Sequence, residues 1–171
     1  MLRLGRGPQG LTPLRSQVLQ VQRDLDRDQR TIKAAMAEWL STADAGLAGQ
    51  AMDDPSMSRL LMALDLLEQV RGDMQGTLTA LRHAEAGVPM PDGRSALGAA
   101  HGRVEAALER TTLAKAEMAA VQKDLQDSTH GRPTPAKQRA SLHVSRAVMG
   151  LAGIEDRLVR MSDGLAAVIG F

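Results

Sequence analysis

Apolar residues recur at alternating spacings of three and four along four separate stretches of this chain, and no other feature constrains its fold so strongly. The first stretch reads Leu11, Leu14, Val18, Val21, Leu25, Asp28, Ile32, Ala35, Trp39, and the second Met57, Leu60, Leu64, Leu67, Arg71, Met74, Leu78, Leu81. The third reads Leu97, Ala100, Val104, Ala107, Thr111, Ala114, Met118, Val121, Leu125, and the fourth Val144, Ala147, Leu151, Ile154, Leu158, Met161, Leu165, Val168. A repeat of seven lays such residues in one stripe along an α-helix, whereas a strand would need a period of two.

Breakers divide the stretches. Thr12-Pro13, Asp54-Pro55 and Thr134-Pro135 each have the form of an N-cap followed by proline at the first helical position. There the side-chain oxygen can accept an orphan N–H, and proline's missing donor costs nothing. A fourth start is expected near Asp92 or Ser95, after the glycine- and proline-rich run 87–93. The expected helices are 12–44, 54–86, 94–129 and 134–169, each on the order of 50 Å long at 1.5 Å rise per residue. Residues 1–10 read as a flexible tail. The remainder, 11–171, reads as an all-α antiparallel four-helix bundle, made of a hairpin 11–86, a linker 87–93 and a hairpin 94–171.

Composition agrees. Trp39 and Phe171 are the sole aromatic residues, so the chain lacks the side chains that fill a pleated sheet. Alanine, leucine, arginine, glutamine and methionine, which lose little rotamer freedom in a helix, are plentiful.

Each of the first two seams carries one charged residue, Asp28 and Arg71. In an antiparallel pair, facing residues have numbers with a constant sum. A sum of 99 sets Trp39 against Leu60, Ile32 against Leu67 and Val18 against Leu81, and it sets Asp28 against Arg71 as a register-fixing pair. The same sum places the hairpin apex near Gly49. For the second hairpin, a sum of 272 sets Ala114 against Leu158, Ala107 against Leu165 and Leu125 against Ala147, small facing large.

Chemistry is sparse. The chain has no cysteine, which removes disulfides, thiolate ligands and cysteine nucleophiles. It lacks the phosphate-binding Gly-x-x-x-x-Gly-Lys, the nucleophile elbow Gly-x-Ser-x-Gly and the zinc motif His-Glu-x-x-His. His101 and Glu105 are four apart and could share a metal, but the Glu-x-x-His motif of di-metal bundles does not occur. His83 suits the last turn of a helix, His130 a loop and His143 the flank of the fourth seam. No cofactor, metal or small-molecule substrate is expected, and the chain is read as non-enzymatic.

Net charge is +1, too small for a general attraction to nucleic acid or anionic lipid. The charge is uneven, however: residues 51–91 carry three Lys/Arg against six Asp/Glu, and residues 132–171 carry six against three. Arg132, Lys137, Arg139 and Arg146, at the start of the fourth helix, are candidate anion contacts, and a small nucleic-acid-binding bundle is one alternative reading. Neither a membrane-length apolar run nor a leader-like start is present, so a cytoplasmic protein is expected, with leaderless secretion open. A membrane-acting bundle is the other alternative.

The second helix is unusually apolar around its circumference from Met57 to Val70. Its seam takes Met57, Leu60, Leu64 and Leu67. Leu61, Met62, Leu66 and Val70 are left as a candidate face for a protein partner or a second copy. The expected function is therefore a protein–protein interaction module, such as an adaptor, chaperone or assembly subunit.

Overall fold

A computed structural model describes residues 10–41, 54–127 and 134–170. They form α1 (Thr12–Ser41), α2 (Pro55–Glu85), α3 (Ala96–Asp127) and α4 (Pro135–Ile169), each within a few residues of its expected bounds. The expected tail up to residue 9, the apex near Gly49, and Arg132 with His130 lie outside the described residues.

Two of the three expected caps work as the sequence implies. Asp54 accepts the Ser56 N–H at 2.8 Å and Thr134 accepts the Lys137 N–H at 3.3 Å, each ahead of its proline. Helical bonding in α1 begins one residue earlier than expected, with the Arg15 N–H donating to the Leu11 carbonyl. At the fourth start the two candidates divide the work. Asp92 accepts from the Arg94 N–H in the preceding turn, and Ser95 accepts from the Gly98 N–H at the helix entrance. α2 ends in a Schellman turn, in which the Val88 N–H reaches the His83 carbonyl and the Gly87 N–H reaches Ala84. That turn needs a left-handed residue, and Gly87 supplies φ 67° without a Cβ penalty.

Each helix packs against two neighbours, closing the ring α1–α2–α3–α4. Cross-pairs fix the directions. Arg15 meets Glu85 and Asp26 meets Arg71; Ser56 meets Asp124 and Asp73 meets Arg103. Thr112 meets Glu155 and Gln122 meets Ser145; Asp24 meets Arg157 and Glu38 meets Arg139. In every seam one number rises as the other falls, so all neighbours are antiparallel. α1 lies diagonal to α3, and α2 to α4.

The four seams are unequal. α2 packs most heavily on α3, while the α1/α2 seam is the thinnest. In consequence α2 is rotated about its axis. Ala63, Val70, Asp73, Thr77 and Ala80 are buried, whereas Leu64 and Leu78 are only partly buried and Arg71 stands at the α1 rim. Small side chains draw α2 and α3 together: Ala63 and Ala80 on one, Ala100, Ala107 and Ala114 on the other, all fully buried.

Rotation undoes the expected register pair. Arg71 ion-pairs with Asp26 and hydrogen-bonds Gln29, and Asp28 faces α4 instead. The level was right, since α1/α2 pairs have numbers summing to 97 (Asp26/Arg71) and 100 (Arg15/Glu85), but the two charges point into different seams. The second register is displaced. Thr112/Glu155, Gln122/Ser145 and Glu105/Ser162 sum to 267 and Lys115/Glu155 to 270, rather than 272.

Candidate functional site

Two acidic side chains are sunk into the middle of this bundle, each 2% exposed, and their surroundings differ sharply. Asp73 of α2 is met from α3 by Arg103 at 3.5 Å and by Arg110. Seven residues apart, the two arginines stand two turns apart on one flank of α3 and bracket the carboxylate. Asp73 is thus a paired charge, and burying it is tolerable.

Asp28 has no such clamp. It sits where α1 crosses α4, and the Arg27 Nε from its own helix reaches Oδ1 at 3.4 Å, a long approach. Oδ2 is buried with no hydrogen-bond partner. From α4, Arg157 is engaged 3.3 Å away on Asp24, which also accepts from Gln20. Burial pushes the Asp28 carboxyl up to about 6, against the weaker downward pull of Arg27 and with a small upward push from Asp24.

Gly150 of α4 provides the seat. A β-carbon there would fall well inside the van der Waals envelope of the Asp28 carboxyl, which is buried between the two helices. Gly150→Ala is expected to destabilise the protein by about 1–3 kcal/mol through overpacking, despite alanine's better helix propensity. In an Asp28→Ala background the same substitution becomes neutral or favourable. Urea denaturation of the four-member cycle checks this, and additive effects would show that the two residues do not touch.

On the surface, the candidate partner face divides. Leu61 and Met62 are 44% and 54% exposed, Leu66 is partly buried on the core and Val70 is wholly buried. Val70 therefore leaves the expected face: the rotation of α2 that carries Arg71 to the rim carries its neighbour inward. Asp65 and Glu68 are exposed beside Leu61 and Met62. A second outer face, on α4, went unrecognised in the sequence. Leu142 and Met149 are 51% and 75% exposed and seven apart, a heptad spacing on the side away from the core. Beside them Arg146 is exposed and Arg139 is held by Glu38 at 3.0 Å, whereas Lys137, five residues before Leu142 and so about 140° round the helix, is half-buried on another side. Of the expected anion contacts, Arg139 is thus already engaged.

The His101/Glu105 pair meets a third residue from α4. Ser162 donates to Glu105, and its Oγ lies 3.3 Å from His101 Nε2. Such a trio invites comparison with a nucleophile, base and acid. Here the hydroxyl proton goes to the carboxylate, and one imidazole nitrogen faces both partners, so the histidine is not oriented as a base by the acid. Ser162 is also 9% exposed and sits mid-helix, where backbone N–H groups are committed to the helix and cannot form an oxyanion hole. The trio joins α3 to α4, as does Glu155, whose carboxyl is held below the usual range chiefly by the Lys115 ammonium. Among the described residues no three His, Asp or Glu side chains are grouped to hold a metal ion, and no helix is long and apolar enough to cross a membrane.

No protein-family model, no curated protein and no solved structure matches this chain.

Proposed function

We propose that this protein is a non-enzymatic assembly subunit whose copies stand side by side, the outer face of α2 against the outer face of α4. One observation carries the reading: the two faces lie on opposite sides of the bundle and are complementary. Leu61 and Met62 stand among the acids Asp65 and Glu68, and Leu142 and Met149 stand beside Arg146.

Their heights also agree. α2 and α4 run in the same direction, since both are antiparallel to α1. Asp28/Gly150 sums to 178 across α1/α4, against the 97 to 100 found across α1/α2. On these registers Met62 and Leu142 both stand near the level of Met36, and Gln69 and Met149 near that of Gln29. A copy displaced sideways, without rotation, would bring Leu142 to Leu61 and Met62 and Arg146 to Asp65. Such a contact uses different surfaces on the two partners, so it propagates as an open row and does not close as a pair.

Light scattering at several concentrations tests the reading. Mass is expected to rise with concentration at low salt and to fall when Met62 and Met149 are both changed to Ser. Asp65→Arg and Arg146→Asp should each abolish association alone, since each gives its own copies like charges across the contact. An equal mixture of the two should associate again. A monomer under all conditions removes self-association and leaves the exposed faces to a different protein.

A further inference from the structure

α1 is the least anchored helix of the four. It shares the thin seam with α2, whose cross-pairs are two half-exposed ion pairs, Arg15 with Glu85 at 3.3 Å and Arg71 with Asp26, and the hydrogen bonds of Gln29 with Arg71 and Glu68. Pairs of this kind contribute little to stability. α1 is held chiefly by α4, and the middle of that seam is where Asp28 lies closed against Gly150 with one carboxyl oxygen unpartnered. α2, α3 and α4 keep two substantial seams among themselves.

We propose that α1 is a releasable helix and that the charge on Asp28 sets how readily it leaves α4. A neutral carboxyl fits the closed seam, whereas an ionised one is solvated poorly there and well once α1 has lifted away.

The groups around Asp28 do not remove that difference. On α1 itself, Arg27 reaches it only at 3.4 Å and Asp24 adds like charge. On α4, Arg157 is occupied by Asp24, while Arg146, one turn from Gly150, is exposed and His143 lies two turns away, and neither hydrogen-bonds the Asp28 carboxyl. On α2, Arg71 is occupied by Asp26, Gln29 and Glu68. On α3, across the diagonal, Arg103 and Arg110 are turned to Asp73 and Lys115 to Glu155. The inference stands apart from self-association, since Asp28 and Gly150 lie in the seam and not on the outer faces of α2 and α4.

Hydrogen exchange on the full chain tests it, with rates corrected for the intrinsic pH dependence of each amide. Amides in the middle of α1, from Val18 to Ile32, should be less protected than those of α3 at pH 7.5. Between pH 5 and pH 7.5 their protection should fall about tenfold, the change expected when a carboxyl near 6 is released to its ordinary value. In Asp28→Asn that fall should vanish and α1 protection should stay at its pH 5 level. Equal protection of α1 and α3 at both pH values would mean that the bundle opens only as a whole and would overturn the proposal. So would a tenfold fall that persists in Asp28→Asn. Asp28→Ser, a smaller neutral side chain, should behave as Asp28→Asn does.

Discussion

Replacing Asp28 by Asn is expected to stabilise the protein by about 2–3 kcal/mol at pH 7.5 and to change it by less than about 1 kcal/mol at pH 4. The folded chain holds the Asp28 proton more tightly than the unfolded chain, because burial raises the carboxyl from its ordinary 3.8 to about 6. Stability tied to that proton is fully present below about pH 3.8. It is lost as the pH rises through about 6 and is flat beyond. Each pH unit across that interval is worth about 1.4 kcal/mol, so the loss totals about 3 kcal/mol. An asparagine keeps the shape and cannot ionise, so its advantage over the native residue grows over the same window. Urea denaturation of both proteins between pH 4 and pH 8 reads the difference directly. A difference independent of pH would show that the carboxyl is not held above its ordinary value.

Stripping Asp73 of its partners is expected to have the opposite sign and at least the same size. Arg103→Met with Arg110→Met leaves a carboxylate that is 2% exposed without either guanidinium, at a cost of about 3–5 kcal/mol. Adding Asp73→Asn to that background should recover most of the loss, because a neutral amide needs no counter-charge. Either arginine alone should cost less, since the other remains in reach. Chemical denaturation of the single, double and triple variants distinguishes this from surface effects. If the double variant falls by less than about 1 kcal/mol, the pairing contributes nothing beyond an exposed ion pair. The two buried acids thus make opposite predictions from similar burial, because one is clamped from the neighbouring helix and the other is not.

Much of the core was readable in advance. Along α1, α3 and α4 nearly every seam residue is buried. The exceptions lie towards the helix ends: Trp39 and Leu97 are partly buried, and Val168 is 43% exposed. The starts of α2 and α4 were legible because proline and a capping oxygen act within one turn of chain, and those of α1 and α3 to within a residue or two. Asp28 was legible as a misfit in an apolar stripe, and it is indeed buried.

Its partner was not legible. A seven-residue repeat tells which side of a helix is apolar, but in a ring of four every helix has two neighbours on that side. Summing residue numbers finds the level at which two helices meet without finding the angle each presents. The failures follow from that gap. Arg71 stands at the correct level and reaches Asp26, while its chain neighbour Val70 goes into the core instead of onto a binding face. Gly150 left one trace, a glycine inside a helix where it costs about 1 kcal/mol relative to alanine. Nothing local said which side chain needed the space.

The sequence by itself determined four helices, their ends and the stripe each would bury, because hydrogen-bonding caps and apolar spacing are properties of a few neighbouring residues. Tertiary structure decided which seams are thick and which thin, because that depends on how closely two backbones approach. The alanines of α2 and α3 and the glycine beneath Asp28 settle it only when the helices are set side by side. The close fit of α2 on α3 turned α2 about its axis. It left α1 resting on α4 over a buried carboxylate.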